Sequence, residues 1–295
     1  MPKKKSKPWC IRLFPLNDGH TGLKVGLAPE TYVEDANTDY ERKLNARDSK
    51  SQSFLLDLFN EVKADVFDGT ADEVVSALLG DEIHGNNPKS AGEIWTGSLK
   101  SQAEAFIQLA LPIVNRSSKT YYVKGTAWHM GEDGTVESMI ARELGVYKHQ
   151  PFHKMEVTIG GLRVSMQHKG PKPGSRAWTR ENAMFHMLKD LAFEAMKRGE
   201  EPADLYLWGH FHEDLGEPYK AIGPWGEKVI YGQVLPAWCL PAEYALANVK
   251  KLEYADIGSV YYDIATDGDG HWDLIEHKKV IKKDVVERVV HETGK

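Results

Sequence analysis

Cysteine is almost absent from this chain of 295 residues, which carries Cys10 and Cys239 and no others. The two are far apart and form no CxxC spacing, so neither a disulfide framework nor a thiolate zinc site is expected. Any metal would then fall to His, Asp, Glu or Asn. Long apolar runs are also missing. No stretch approaches the roughly 18 residues that span a bilayer, and the segment after the first lysines is interrupted by Arg12 and Asn17. The expectation is a cytoplasmic, unprocessed chain with no membrane partner. Internal repeats, heptads and extended low-complexity segments are lacking too, which excludes solenoids and coiled coils. An excess of positive charge is likewise absent. The formal net charge is -6, so the chain as a whole is no obvious polyanion binder. A small basic arm of Lys3, Lys4, Lys5 and Lys7 reads as a solvated tail.

What is present is an ordinary globular composition, 41% hydrophobic and 27% charged, long enough to bury a substantial core. One large α/β unit is expected over residues 9–277, preceded by the basic arm at 1–8 and followed at 278–295 by a peripheral helix or tail. Residues 9–16 read as a strand and 17–22 as a turn. Apolar residues at helical spacing, including Phe54, Leu55, Leu58, Phe59 and Val62, predict a long helix over 40–66. A short strand at 74–79 ends at Gly80 and Asp81, and 83–97 reads as a mobile loop. Helical character returns at 99–114, a strand at 120–124 and a short helix at 138–144. Two alternating runs, 155–159 and 162–167, flank Gly160 and Gly161 and predict a hairpin leading into His168. A helix at 177–198 and strands at 204–208, 228–235, 259–264 and 272–276 complete the pattern.

The residues with chemistry in them gather at the ends of these strands. Leu207 to His212 reads Leu, Trp, Gly, His, Phe, His, so His210 and His212 emerge together after an apolar run and can reach one inorganic centre. Asp18 and His20, Asp81, and His168 follow other strands in the same way, and ligands collect at the carboxyl ends of strands in open α/β sheets. A lone histidine is more often a surface or hydrogen-bonded residue. His149, His153, His186, His271, His277 and His291 keep that reading, and Trp178, Trp208, Trp225 and Trp238 are read as packing material. Arg176 and Arg180, in a basic loop next to His168, are candidates to grip a substrate phosphate.

Taken in order, Asp18 with His20, Asp81, the segment Gly125 to His129, His168, and His210 with His212 resemble the calcineurin-like metallophosphoesterases. The wording of 80–85, 125–131 and 235–244 is similar to a phage-associated branch of that family. The resemblance implies a four-layer αββα sandwich of two mixed sheets flanked by helices. It also implies two divalent ions, with Mn, Fe or Zn suited to imidazole and carboxylate ligands. Asp18, His20 and His212 would hold the first ion, Asp81 would bridge, and His168 and His210 would belong to the second. A metal-bridging hydroxide would attack a phosphodiester or phosphomonoester, with a nucleotide or nucleic acid the leading substrate.

One motif departs from the family. Its Asn and catalytic His should follow Gly125, where this chain has Thr126, Ala127, Trp128 and His129. His129 is assigned as the general acid, and the absent amide oxygen would be replaced by water, Thr126, His84, Asn86 or Asn87. Two other readings compete: a metal-binding scaffold of the same fold without catalysis, and a β-lactamase-like zinc hydrolase. The latter rests on His210, Phe211, His212, Glu213 and Asp214, whose expected final His is Leu215.

Overall fold

A largely apolar stretch buried on both faces, Trp9–Leu16, forms strand β1 at the centre of a sheet, and the first candidate ligands leave from its end. The computed structural model describes residues 8–34, 42–131, 134–146, 151–174, 176, 179–242, 256–267 and 271–282. The four lysines of the basic arm, Trp178, His149, His291 and everything past Lys282 lie outside these residues.

After β1 come a ribbon of β2 (Thr31–Glu34) and β3 (Arg42–Asn45), helix α1 (Lys50–Val66), β4 (Glu73–Leu78), α2 (Leu99–Arg116) and β5 (Lys119–Tyr122). The one-turn α3 (Ala127–Met130), α4 (Thr135–Glu143), the hairpin β6 (Lys154–Ile159) and β7 (Leu162–Lys169), and α5 (Asn182–Arg198) follow. The last third is β8 (Leu205–Gly209), β9 (Leu215–Gly223), β10 (Gly226–Val234), β11 (Asp256–Thr266) and β12 (Trp272–Lys282). One sheet has the order β12-β11-β1-β4-β5, parallel across β1, β4 and β5. The other has the order β6-β7-β8-β10-β9, parallel across β7, β8 and β10.

Period-two alternation sends neighbouring residues to opposite faces, and this builds the layers. Leu13, Val75 and Ile264 of the first sheet share a buried cluster with Val164, Leu205 and Leu207 of the second, so the sheets stack face to face. On the outer side, Phe14, Leu16 and Leu78 meet Leu55, Phe59 and Val62 of α1 and Phe106 and Ile113 of α2. The outer face of the second sheet packs Tyr206, Trp208 and Ile230 on Met184 and Leu188 of α5. The architecture is therefore the expected mixed α/β fold of two sheets between helices.

Three expectations are corrected. The first helix begins at Lys50 and not at 40, because the Ser49 side chain accepts the Gln52 amide and caps it there, while Arg42–Asn45 pairs with β2. The C-terminal boundary at 277 moves, since β12 continues to Lys282. Its lysines reach carboxylates of the body, Lys278 to Asp214 at 3.0 Å and Lys282 to Asp256 at 2.8 Å. The loop at 83–97 is tied down: the His84 amide donates to the Thr21 carbonyl, and Gln102 bonds both Gly85 and the Thr96 carbonyl. No helix among the described residues is long and apolar enough to cross a membrane.

Candidate metal centre

All the loops that carry candidate ligands leave the carboxyl ends of parallel strands. Asp18 and His20 follow β1, Asp81 and His84 follow β4, Thr126 to His129 follow β5, His168 closes β7, and His210 and His212 follow β8. The loops are stitched to one another by backbone bonds, the Asp18 amide donating to the Gly80 carbonyl and the His20 amide to the Asp81 carbonyl. Close approach requires small residues: a Cβ at Gly209 would sit 2.6 Å from Asp18 Oδ2.

The backbone itself marks these positions. Among the described residues, the non-glycine residues in the left-handed region are Asp18, His20, Asp81, His210 and His212. Each such conformation costs roughly 1–3 kcal/mol and persists where surrounding structure enforces it, as at functional sites. Five of the six ligands expected from the motif order are therefore held in strained backbone.

The side chains converge. Asp18 Oδ2 accepts from the Asn17 amide at 2.7 Å and from the His210 backbone at 2.8 Å, which aims Oδ1 inward. Oδ1 is buried with no hydrogen-bond donor of its own and lies 3.3 Å from His212 Nε2, 3.7 Å from His20 Nε2 and 3.9 Å from His168 Nε2. His20 Nε2 and His212 Nε2 are 3.2 Å apart. Asp81 Oδ1 accepts from the Thr126 amide at 2.6 Å, while Oδ2 faces His168 Nε2 at 3.0 Å and His129 Nε2 at 4.0 Å. Two donors that each bind one ion at about 2.1 Å stand roughly 3.0–3.4 Å apart. The Asp18–His212 and His20–His212 separations, 3.3 and 3.2 Å, fall on that edge length, and Asp18–His20, at 3.7 Å, is slightly wider. The donor atoms of Asp18, His20 and Asp81, and those of Asp81, His168 and His210, form two compact groups that share Asp81. This histidine and aspartate cluster is thus suited to metal, and Asp81 is the residue common to both groups.

Electrostatics agree with the geometry. Burial works against a charge on His168, but Asp18 and Asp81 outweigh it and hold the imidazole up at about 9. Burial would raise Asp18, yet His168 and His212 carry it well below the usual carboxylate range. Burial, with His129 adding to it, pushes His20 down to about 4, and burial with His20 pushes His84 down to about 3. His168 Nδ1 donates to the Leu79 carbonyl at 2.6 Å, so its Nε2 must carry either the proton or a metal. A testable consequence follows for the metal-free protein. His168 is protonated below about pH 9, and Cys239 with Asp18 likewise lifts His212 well above the usual imidazole range against its burial, so metal uptake must expel a proton from each; calorimetry should show Mn affinity climbing more steeply than tenfold per pH unit below about pH 9. His20 and His84 are already neutral throughout this range and should add no slope.

The other candidates divide. His84 stands in the cluster, grouped with His20 and His129. Thr126 bonds Asp81 through both its amide and its hydroxyl. Asn86 donates instead to the Gly97 carbonyl and Asn87 caps the Lys89 amide, so both amides are turned to local structure. His129 Nδ1 donates to the His84 carbonyl at 2.7 Å, leaving Nε2 facing Asp81. Arg180 pairs with Glu213 at 2.7 Å and Asp256 at 3.5 Å, while Arg176 is exposed. Glu213 is thus spoken for, and Asp214 accepts from Gln233 and Lys278; neither enters the metal groups, which removes the basis of the β-lactamase-like reading.

Cys239 was missed. Its Sγ lies 3.6 Å from His212 Nδ1 and groups with His20 and His212, contrary to the expectation that no thiol takes part. The signal available was its place after the β10 strand end, in line with every other member of the site.

No family model and no curated protein matches this sequence. Among solved structures, the chain overlaps Vps29 from Entamoeba histolytica complexed with Zn2+ at 11% identity, over 90% of this chain and 98% of that one, with a TM-score of 0.34. Vacuolar protein sorting 29 from Cryptosporidium parvum gives 12% identity, 94% and 100% coverage and a TM-score of 0.37. A conserved predicted phosphoesterase from Streptococcus pneumoniae gives 13%, 93% and 98%, and 0.32. Overlaps this slight carry no weight for function, which rests on the side chains themselves.

Proposed function

We propose that this chain is a binuclear, metal-dependent phosphoesterase of the calcineurin-like type, nearest in local wording to the phage-associated branch. The observation that carries the reading is the convergence of Asp18, His20, Asp81, His168, His210 and His212, from four separate strand ends, at ligand spacing around a shared carboxylate. Imidazole and carboxylate donors fit Mn, Fe or Zn. Two such ions would neutralise phosphoryl charge and lower the pKa of water for attack on a phosphodiester or phosphomonoester. Asp18 and Asp81 hold their carboxylates ionised and oriented, through Asn17 and the His210 amide on one side and Thr126 on the other. His129 is tethered at Nδ1 to the His84 carbonyl and presents Nε2 to the same centre; protonated there, it would deliver that proton to the leaving oxygen.

The scaffold reading has one observation in its favour, the replacement of the family's Asn by Thr126. Hydrolysis of bis(p-nitrophenyl) phosphate separates the two. Protein stripped with a chelator should be inactive and should recover turnover on addition of Mn; tight Mn binding without turnover would establish the scaffold.

A further inference from the structure

Trp128 is 57% exposed and adjoins His129 in the chain, beside the metal centre. Its position is set by α3, a single turn that divides its four side chains. Met130 is fully buried in the core, His129 turns its imidazole onto His20 and toward Asp81, and Ala127 and Trp128 face out. The neighbouring loop supplies a cation: Lys89 holds its ammonium 6.0 Å from the centre of the indole ring. That loop is anchored from inside, since Ser90 bonds His84 Nε2 at 2.6 Å, and the Gly85 position touches the His129 backbone so closely that no side chain fits there. Trp128 and Lys89 therefore ride on the same two loops that carry His129 and His84.

We propose that Trp128 is a stacking platform for the base of a nucleoside phosphoester whose phosphoryl group lies at the metal centre. The inference rests on the phosphoesterase reading and adds the substrate class. An indole face offers a base a flat apolar partner without regard to sequence, and the Lys89 ammonium beside it supplies a counter-charge for a phosphate adjoining that base. The consecutive Cα atoms of Trp128 and His129 are about 3.8 Å apart, so the stack and the proton donor are fixed relative to each other within the span of one nucleotide. Buried tryptophans elsewhere are occupied by packing: Trp208 lies on Tyr206 and Trp238 on Phe59.

The test compares thymidine 5′-(p-nitrophenyl phosphate) with methyl p-nitrophenyl phosphate, which share a leaving group and differ in the nucleoside. With Mn present, kcat/KM should favour the nucleoside ester by about tenfold or more. That preference should collapse in Trp128→Ala and survive in Trp128→Phe. Equal use of both esters by the wild type, or an equal fall for both in Trp128→Ala, would overturn the stacking role while leaving the hydrolase standing. If neither ester is cleaved, the phosphoesterase reading fails, and binding decides the stack by itself. Guanosine 5′-monophosphate should then quench indole fluorescence in the wild type and much less in Trp128→Phe, with ribose 5-phosphate inert. Absence of that quenching would overturn the proposal.

Discussion

An Asp81→Ala variant is expected to lose turnover by roughly a thousandfold or more, because both the charge neutralisation and the activated water depend on ions that share this carboxylate. Asp81 belongs to two donor groups, with Asp18 and His20 on one side and His168 and His210 on the other. Removing it should lower metal content at both, which elemental analysis of the purified variant would read directly. The fold should survive, since Asp81 sits in a loop after β4 while the core is built by Leu78, Leu79 and their neighbours. Replacement also relieves a left-handed backbone only if glycine is used, so Asp81→Gly is a useful companion: it keeps the conformation and removes the ligand. Full activity in either variant would refute the bridging role.

His129→Ala should cut turnover by about 10²–10⁴-fold, the range over which a positioned acid contributes, while leaving the ions in place. The imidazole is held at one nitrogen by the His84 carbonyl and packs edge-on against His20, so it is oriented before substrate arrives. The effect should shrink for substrates with good leaving groups, whose oxygens need little protonation. A p-nitrophenyl ester should therefore suffer far less than an alkyl ester. Loss of one metal equivalent in the variant would instead make His129 a ligand that takes the place of the missing Asn.

The strand ends were the legible part of the sequence. Glycine after an apolar run, as at Gly80 and Gly209, marks where a strand releases its chain, and acidic or imidazole residues at those points are few enough to be placed in order. The hairpin before His168 and the core helices followed from periodicity for the same reason. What periodicity could not show was governed by partners distant in sequence. Strand β9 contains Gly216, Pro218 and Gly223, which argue locally against a strand, yet it forms an edge where proline is tolerated. The lysines of β12 read as part of a peripheral helix or tail because the carboxylates of Asp214 and Asp256 that receive them are remote in the chain. Arg180 looked available for phosphate until Glu213 and Asp256 were seen beside it. Cys239 was dismissed by spacing rules that apply to cysteine pairs and say nothing about a single thiol behind an imidazole.

The most direct test of the metal centre is a crystal soaked in Mn and measured for anomalous scattering. Two peaks should appear, one among Asp18, His20 and His212 and one among Asp81, His168 and His210, about 3.5–4 Å apart. A map with no peak among these side chains at saturating Mn would contradict the account.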